Sequence, residues 1–460
     1  MRRTRAIFIF ILIPFISIGQ QSDSAIIKKI SDEILIHGQA YENLRFLCKK
    51  VGARLSGSPQ AAKAVRETAR MLKEAGADTV YLQPCMVTHW VRGEKEQGVI
   101  QWGTQKKALH VCALGMSVGT PASGIRAGII EVRNFEELYA LGAEKVKGKI
   151  VFFNYPMRPE LISGGYRDAV VYRGRGPVEA AKLGAVAIMI RSVTHALDNN
   201  PHTGATQYDS SVKKIPAIAC STLDAEWLHQ LLQKEKGVQL YMKMNCQLLP
   251  DAHSFNVIGE IRGSEQPEEI ITVGGHLDSW DLAEGAHDDG TGCMQAIEVI
   301  RTLKALGLQP KRTIRAVMFM NEENGLGGGR AYAAAAKKNN EQQIFACESD
   351  EGGFGIKTLG INGTPEQEAY VRKWLPLFSS FGVYKMPDGG GGADIGPLRS
   401  MGTMMSSVNP ESQLYFNHHH APNDVFEAVD KRELELGAIG MTSIAWLVSK
   451  YGIPPATGNN

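Results

Sequence analysis

Apolar positions recur at spacings of three and four between residues 22 and 77, first in AIIKKISDEILIHG and again in AAKAVRETARMLKEAG. That spacing predicts helices on either side of the Gly/Ser/Pro break VGARLSGSP, the second one stopping at Gly76. Residues 79–100 turn strand-like, and DTVYLQPCMVTHWVRGEKEQGVI predicts a long hairpin. Between 118 and 247 the texture is that of a separate α/β unit. VKGKIVFFN reads as a strand, VEAAKLGAVAIMIR as a helix running into a strand, and IPAIACSTLDAEWLHQLL as a strand followed by a helix that begins near Ser221 or Thr222. From 248 the pattern changes again. HSFNVIGEIRGSEQPEEIITVGGHLDS gives two strands around an acidic turn, then helix TGCMQAIEVIRTLKALG, strand TIRAVMFM, helix GGGRAYAAAAKKN and strand QIFACES alternate. Alternation of this kind predicts an α/β fold with a mainly parallel central sheet flanked by helices.

Composition leaves that picture in place and narrows the setting. The 460 residues are 43% hydrophobic and 21% charged, the balance of a globular protein large enough for two domains. Arg2, Arg3 and Arg5 precede an apolar run over 6–18, and Ser17 and Gly19 follow as small residues. This order predicts a secretory signal peptide over 1–19, with a periplasmic or secreted destination, since the run is short for a bilayer span. Loss of the three arginines takes the formal charge from +2 to −1. A near-neutral chain carries no electrostatic footprint for nucleic acid or for an acidic membrane. The seven cysteines lack CxxC spacing and several sit in apolar runs, so neither a disulfide framework nor a thiolate metal site is expected.

Strand ends carry the candidate chemistry. In a sheet of this kind, sites form just beyond the carboxyl ends of the strands. ITVGGHLDSW ends an apolar strand on His276 and Asp278, and GAHDDGTG places Asp288 and Asp289 in a Gly-rich turn before a helix. AVMFMNEENG ends on Glu322 and Glu323, IFACESDEGG on Glu348, Asp350 and Glu351, and the loop YFNHHHAPNDVF brings His418, His419 and His420. One such cluster is by default a solvated turn or helix cap. Several carboxylates crowded at one sheet edge repel each other, and cations relieve that repulsion. Asp, Glu and His without Cys suit borderline or hard divalent metals, and five such ligands hold two ions if one carboxylate bridges.

Together GGHLDSWDLAEGAHDDGTG (274–292), NEEN (321–324), ESDEGG (348–353) and HHHAPND (418–424) resemble the co-catalytic di-zinc exopeptidases, which include zinc aminopeptidases and glutamate carboxypeptidases. HLDSWD and DGGGGADIGPL (388–397) resemble most the plasma glutamate carboxypeptidase (carboxypeptidase Q) branch, and GARLSGSP (52–59) fits as well. The unit at 118–247 resembles a protease-associated domain, which would be inserted into a catalytic domain formed by 20–117 and 248–460. The resemblance implies two zinc ions per chain. His276 and Asp350 would bind one, Glu323 and His420 the other, with Asp288 bridging. Asp278 would orient the His276 ring, and Glu322 would be the general base. It further implies a cis Asp288–Asp289 peptide, a peptide substrate and a homodimer. His418 and His419 would be surface or supporting residues, and His287 a poor ligand. The loop holding Gly391, Gly392 and Asp394 is either merely flexible or a place where substrate approaches the backbone.

Three functions fit this sequence. An exopeptidase or dipeptidase needs every ligand and the base, and all are present. A non-catalytic binding protein on the same fold would have lost ligands. A single-zinc cyclase or amide hydrolase would hold one metal instead of two. The sequence leaves open whether a free amino or a free carboxyl end of the peptide is recognised.

Overall fold

The computed structural model describes residues 22–161 and 163–456, so the leader expected over 1–19 lies outside the described residues. Two sheets organise the chain. The first runs in the order Thr79–Val91, Gln247–Ile261, Arg312–Phe319, Gln266–His276, Gln342–Glu348, Met404–Asn409, Thr358–Asn362. Its four strands from Arg312–Phe319 to Met404–Asn409 are mutually parallel, and antiparallel strands complete both flanks. The helices Thr291–Ala305 and Gly327–Lys338 carry the chain between successive parallel strands. A strand covered on both faces has no polar side to show, and all eight residues of Arg312–Phe319 are buried. Even Arg315 in that strand is buried, its charge met by Glu260 at 2.6 Å and Glu341 at 2.8 Å.

Parallel pairing brings the carboxyl ends of the strands to one edge. His276 pairs with Phe319, and Gly274 with Glu348, so the clusters after these strands start side by side. The glycines before His276 have a packing reason. A Cβ on Gly275 would meet the Asp289 carboxylate and the first turn of the helix Thr291–Ala305, which therefore approaches the strand closely.

Two sequence expectations are corrected here. Residues 79–100 form no hairpin. The thirteen-residue strand Thr79–Val91 pairs along its length with Gln247–Ile261, from Thr79 opposite Glu260 to Val91 opposite Gln247. Alternation identifies a strand, but not a partner some 160 residues away. The second sheet is also larger than the unit expected at 118–247. Its order is Gln105–Ala108, Gln97–Trp102, Gln239–Lys243, Ile125–Val132, Ile150–Phe153, Ala187–Arg191, Ala217–Cys220, Val111–Ala113. The strands between 97 and 113 thus belong to it, and the boundary moves from 118 to before Gln97. Nothing in their composition marks them, because a distant strand, Gln239–Lys243, pairs with Gln97–Gln101.

One helix of this second unit, Ser163–Lys182, is longer than the periodic stretch from Val178 suggests. It runs back through Pro177 and several glycines, residues that a propensity reading places outside helices. At the helix Thr222–Lys234, Ser221 is the N-cap and accepts from the Asp224 amide. All seven cysteines are free and buried. Among the described residues no helix is long and apolar enough to cross a membrane.

Candidate metal centre

At the shared strand edge Asp288 stands between two histidines. Its Oδ1 lies 3.1 Å from His276 Nε2, and its Oδ2 lies 3.3 Å from His420 Nε2. Each histidine meets a second carboxylate: His276 Nε2 is 3.2 Å from Asp350 Oδ1, and His420 Nε2 is 3.0 Å from Glu323 Oε2. Two ligands bound at about 2.1 Å in a tetrahedron lie about 3.4 Å apart, so all four separations suit pairs of donors on one small cation. The five residues form two such groups, sharing Asp288.

The electrostatics point the same way. Nδ1 of His276 is 2.9 Å from the Asp278 main-chain carbonyl, which can only accept. In the neutral ring Nδ1 therefore carries the hydrogen and Nε2 turns a lone pair toward two carboxylate oxygens, a repulsive arrangement that a cation between them relieves. Without one, burial opposes a charge on His276, yet Asp350 and Asp288 lift its pKa well above the histidine range. Burial and then the Asp288 charge push Glu323 well above the carboxylate range, and burial also raises Asp350. Asp288 Oδ2 and Asp350 Oδ1 are buried without a hydrogen-bond donor. Unpaired carboxylate oxygens beside imidazole nitrogens at this spacing fit divalent cations.

Glu322 and Glu323 are neighbours in sequence and part company in space. Glu323 accepts from the Trp280 amide at 3.3 Å through Oε1 and turns Oε2 to His420. Both line a cavity of about 650 Å³ beside the cluster, together with Asp288, Asp350, Tyr166, Tyr415 and His420, but Glu322 makes none of the close contacts to the histidines. Burial, opposed by His276 and aided by Asp350, pushes Glu322 up to about 8.

Surrounding residues hold this geometry. Asp278 meets the His276 ring through its main-chain carbonyl. The carboxylate accepts from the Asn321 amide at 2.6 Å and the Glu322 amide at 3.1 Å, fixing the turn that carries both glutamates. Asp289 joins the strand to the helix, accepting from the His276 and Gly292 amides at 2.9 Å each. Asp424 accepts from the His287 and Asp288 amides at 2.7 and 3.2 Å, and so holds the bridging turn. The Asp288–Asp289 peptide is cis.

Arg54, in the GARLSGSP segment, is fully buried. It donates to three main-chain carbonyls of the loop between His276 and Asp288: Leu277 at 2.5 Å, Glu284 at 2.6 Å and Gly285 at 2.9 Å. Replacing Arg54 with Met leaves three buried acceptors unpaired, which destabilises the chain by about 3 kcal/mol or more. The expected result is a lower urea midpoint with an unchanged slope. An unchanged midpoint would show that the loop holds itself.

Other candidates are placed as follows. His287 is stacked on Phe354 at 4.2 Å and bonds the backbone with both nitrogens, at Gly353 and Ala428, away from the cluster. His418 faces the Asn423 carbonyl at 3.0 Å. His419 is no surface residue: it is buried, stacked on His420 at 3.5 Å, and offers a nitrogen near Asp288 and His420. Glu323 remains the better partner of His420, because its oxygen is at ligand-pair distance and His419 is engaged face to face.

Gly391, Gly392 and Asp394 are absent from the cavity lining. A Cβ on Gly392 would collide with the Glu348 carboxyl, and Gly390 lies against the backbone of Gly360 and Ile361. The glycines thus serve close packing. Asp394 is fully buried beneath the site, both oxygens unpaired, and burial with the Glu348 charge raises its pKa well above the usual range. Arg173 and Tyr166, which the sequence reading does not place in the site, do reach the cavity.

Known proteins resemble this chain along most of its length. The signature of peptidase family M28 matches residues 256–445. Carboxypeptidase Q of Xenopus laevis is 37% identical over 426 residues, 92% of this chain and 89% of that protein. Carboxypeptidase Q of Homo sapiens is 34% identical over 427 residues, again 92% and 89%. A peptidase M28 precursor from Shewanella amazonensis SB2B has a TM-score of 0.90 at 31% identity, covering 95% of this chain and 99% of that one. A zinc aminopeptidase from Bacillus subtilis shares the fold, with a TM-score of 0.64 at 21% identity over 89% of this chain and 94% of that one. With relatives this similar along nearly the whole chain, and with the signature falling on the strands that build the cluster, the protein belongs to peptidase family M28.

Proposed function

We propose that this M28 metallo-exopeptidase binds two zinc ions per chain and hydrolyses the terminal bond of short peptides or dipeptides. The observation that carries the reading is the Asp288 carboxylate, which turns one oxygen to each of two His–carboxylate pairs. His276 and Asp350 would hold one ion, Glu323 and His420 the other, and Asp288 both. When bound, such a pair supplies Lewis acidity that polarises the scissile carbonyl and acidifies a water.

The residues of the chain do the rest. Glu322, free of the ligand contacts and facing the cavity, takes the proton of the attacking water and passes it to the leaving amine. Asp278 and Asn321 set the turn from which Glu322 reaches in. Trp280, Tyr166 and Tyr415 exclude bulk water from the cluster, which strengthens each electrostatic contact there. The leader pattern at 1–19 supports export, and the second sheet with its helices supports a protease-associated unit inserted beside the site.

A chelation trial tests this reading. Purified protein should cleave unblocked dipeptides, lose the activity on thorough metal removal, and regain it with two equivalents of zinc. Recovery of full activity at one equivalent would favour the single-zinc alternative. Activity that survives complete removal would end the metal mechanism.

A further inference from the structure

Arg173 lines this cavity with no acid to meet it, whereas Arg54, the other buried arginine here without an ion pair, is met by three main-chain carbonyls. Arg173 is 7% exposed, and among the described residues no carboxylate lies within ion-pair distance of it. The buried arginines Arg92, Arg191 and Arg315 each pair with a carboxylate, at 2.9, 2.5 and 2.6 Å to Glu96, Glu226 and Glu260. Arg173 has only neutral partners. Nη2 donates to the Tyr166 hydroxyl at 2.9 Å, Nη1 makes long contacts to His420 Nδ1 at 3.3 Å and the Thr203 carbonyl at 3.5 Å, and Nε is buried without an acceptor. A buried, uncompensated guanidinium is unfavourable and awaits an anion.

The position identifies that anion. Arg173 and Tyr166 line the same cavity as Glu322 and Asp288; of its two arginines Arg167 is exposed and Arg173 is the buried one, and its lining also includes three further carboxylates and two histidines. Only the His420 ring separates Arg173, on the Nδ1 side, from the Asp288 and Glu323 oxygens on the Nε2 side. Gly204, at φ +119°, permits this approach, because a Cβ there would collide with both Arg173 and His420. If His420 binds a cation through Nε2, its Nδ1 carries a hydrogen and ceases to accept. Nη1 then loses that contact, and two donors face the same space. In a peptide, the group one residue beyond the scissile bond lies about 3.8 Å further along the chain. For a dipeptide that group is the terminal carboxylate, and guanidinium binds carboxylate through two parallel hydrogen bonds.

We propose that Arg173, oriented by Tyr166, anchors the free C-terminal carboxylate of a dipeptide-sized substrate, making the inserted unit the source of end specificity. The proposal rests on the peptidase reading of the neighbouring cluster and can be tested apart from it. Alanyl-phenylalanine and its C-terminal amide are titrated calorimetrically into zinc-loaded E322Q protein, full chain. The acid should bind at least about 30-fold more tightly than the amide, consistent with a charge-assisted bidentate contact. Adding R173Q should bring the acid down to the affinity of the amide, R173K should restore part of the preference, and Y166F should weaken it. Equal binding of acid and amide to E322Q protein, or a preference that survives R173Q, overturns the proposal. Should the R173 variants fail to fold, competition on zinc-loaded E322Q protein with Arg173 intact decides. Acetyl-phenylalanine should displace the bound dipeptide and its amide should not; equal displacement overturns the anchor. Acid preference in binding without hydrolysis of either compound by wild-type protein would leave the anchor standing and remove the peptidase reading.

Discussion

Glu322→Gln should keep two metal ions per chain and lose turnover by about 10²–10⁴-fold, the range that a positioned general base contributes. The side chains are nearly isosteric, and Glu322 lies at none of the four ligand-pair contacts, so metal binding should not change. The fall should appear in kcat, with KM little altered, because the proton is moved only in the transition state. Its neighbour makes the control. Glu323→Gln removes the carboxylate facing His420 and should lower metal content along with activity. Metal analysis on both variants, with steady-state kinetics, distinguishes a base from a ligand. Near-normal kcat in Glu322→Gln, or metal loss from it, would show that the two roles are reversed or that the base lies elsewhere.

Asp288→Ala should have the broadest effect on the site. That carboxylate belongs to both donor groups, so its removal takes one of three donors from each. Loss of a residue that only supports a ligand typically lowers metal affinity 10–100-fold, and loss of the shared ligand should exceed about 100-fold. Activity at saturating peptide and trace zinc should vanish, and equilibrium dialysis should find fewer than two ions per chain at concentrations that fill the wild type. The fold should survive, because the Asp289 and Asp424 hydrogen bonds that hold the turn do not use the Asp288 side chain. An Asp288→Ala protein that binds two zincs with unchanged affinity would break the link between the shared carboxylate and a two-metal site.

Motif residues were legible because chemistry restricts them. His276, Asp288, Glu323, Asp350 and His420 span some 145 positions, yet each follows a strand or sits in a loop at the same sheet edge, as alternating strands and helices imply. The spacing of NEE alone does not assign its two acids; the contacts of Glu323 with His420 and the Trp280 amide set it apart from Glu322. Supporting groups were less visible. Asp424 served only to mark the histidine register, and Arg54 was one letter of a motif, although each holds main-chain groups of the site. Their partners are amides and carbonyls, which every residue carries, so no residue pattern announces such contacts. The Gly-rich loop was open to two readings for a related reason: glycine marks close approach without saying to what, and here the neighbours are Glu348 and the strand at Gly360.

By itself, the sequence determined the periodic elements, the parallel centre of the first sheet and the donor types gathered at its edge, because these follow from local spacing and from what a cation accepts. Tertiary structure alone decided which strands pair across more than a hundred residues, where the second unit begins, and that Arg173 enters the cavity from it. Pairing between distant segments leaves no periodic trace in either one, and a buried charge without a counterion becomes visible only when its neighbours in space are known.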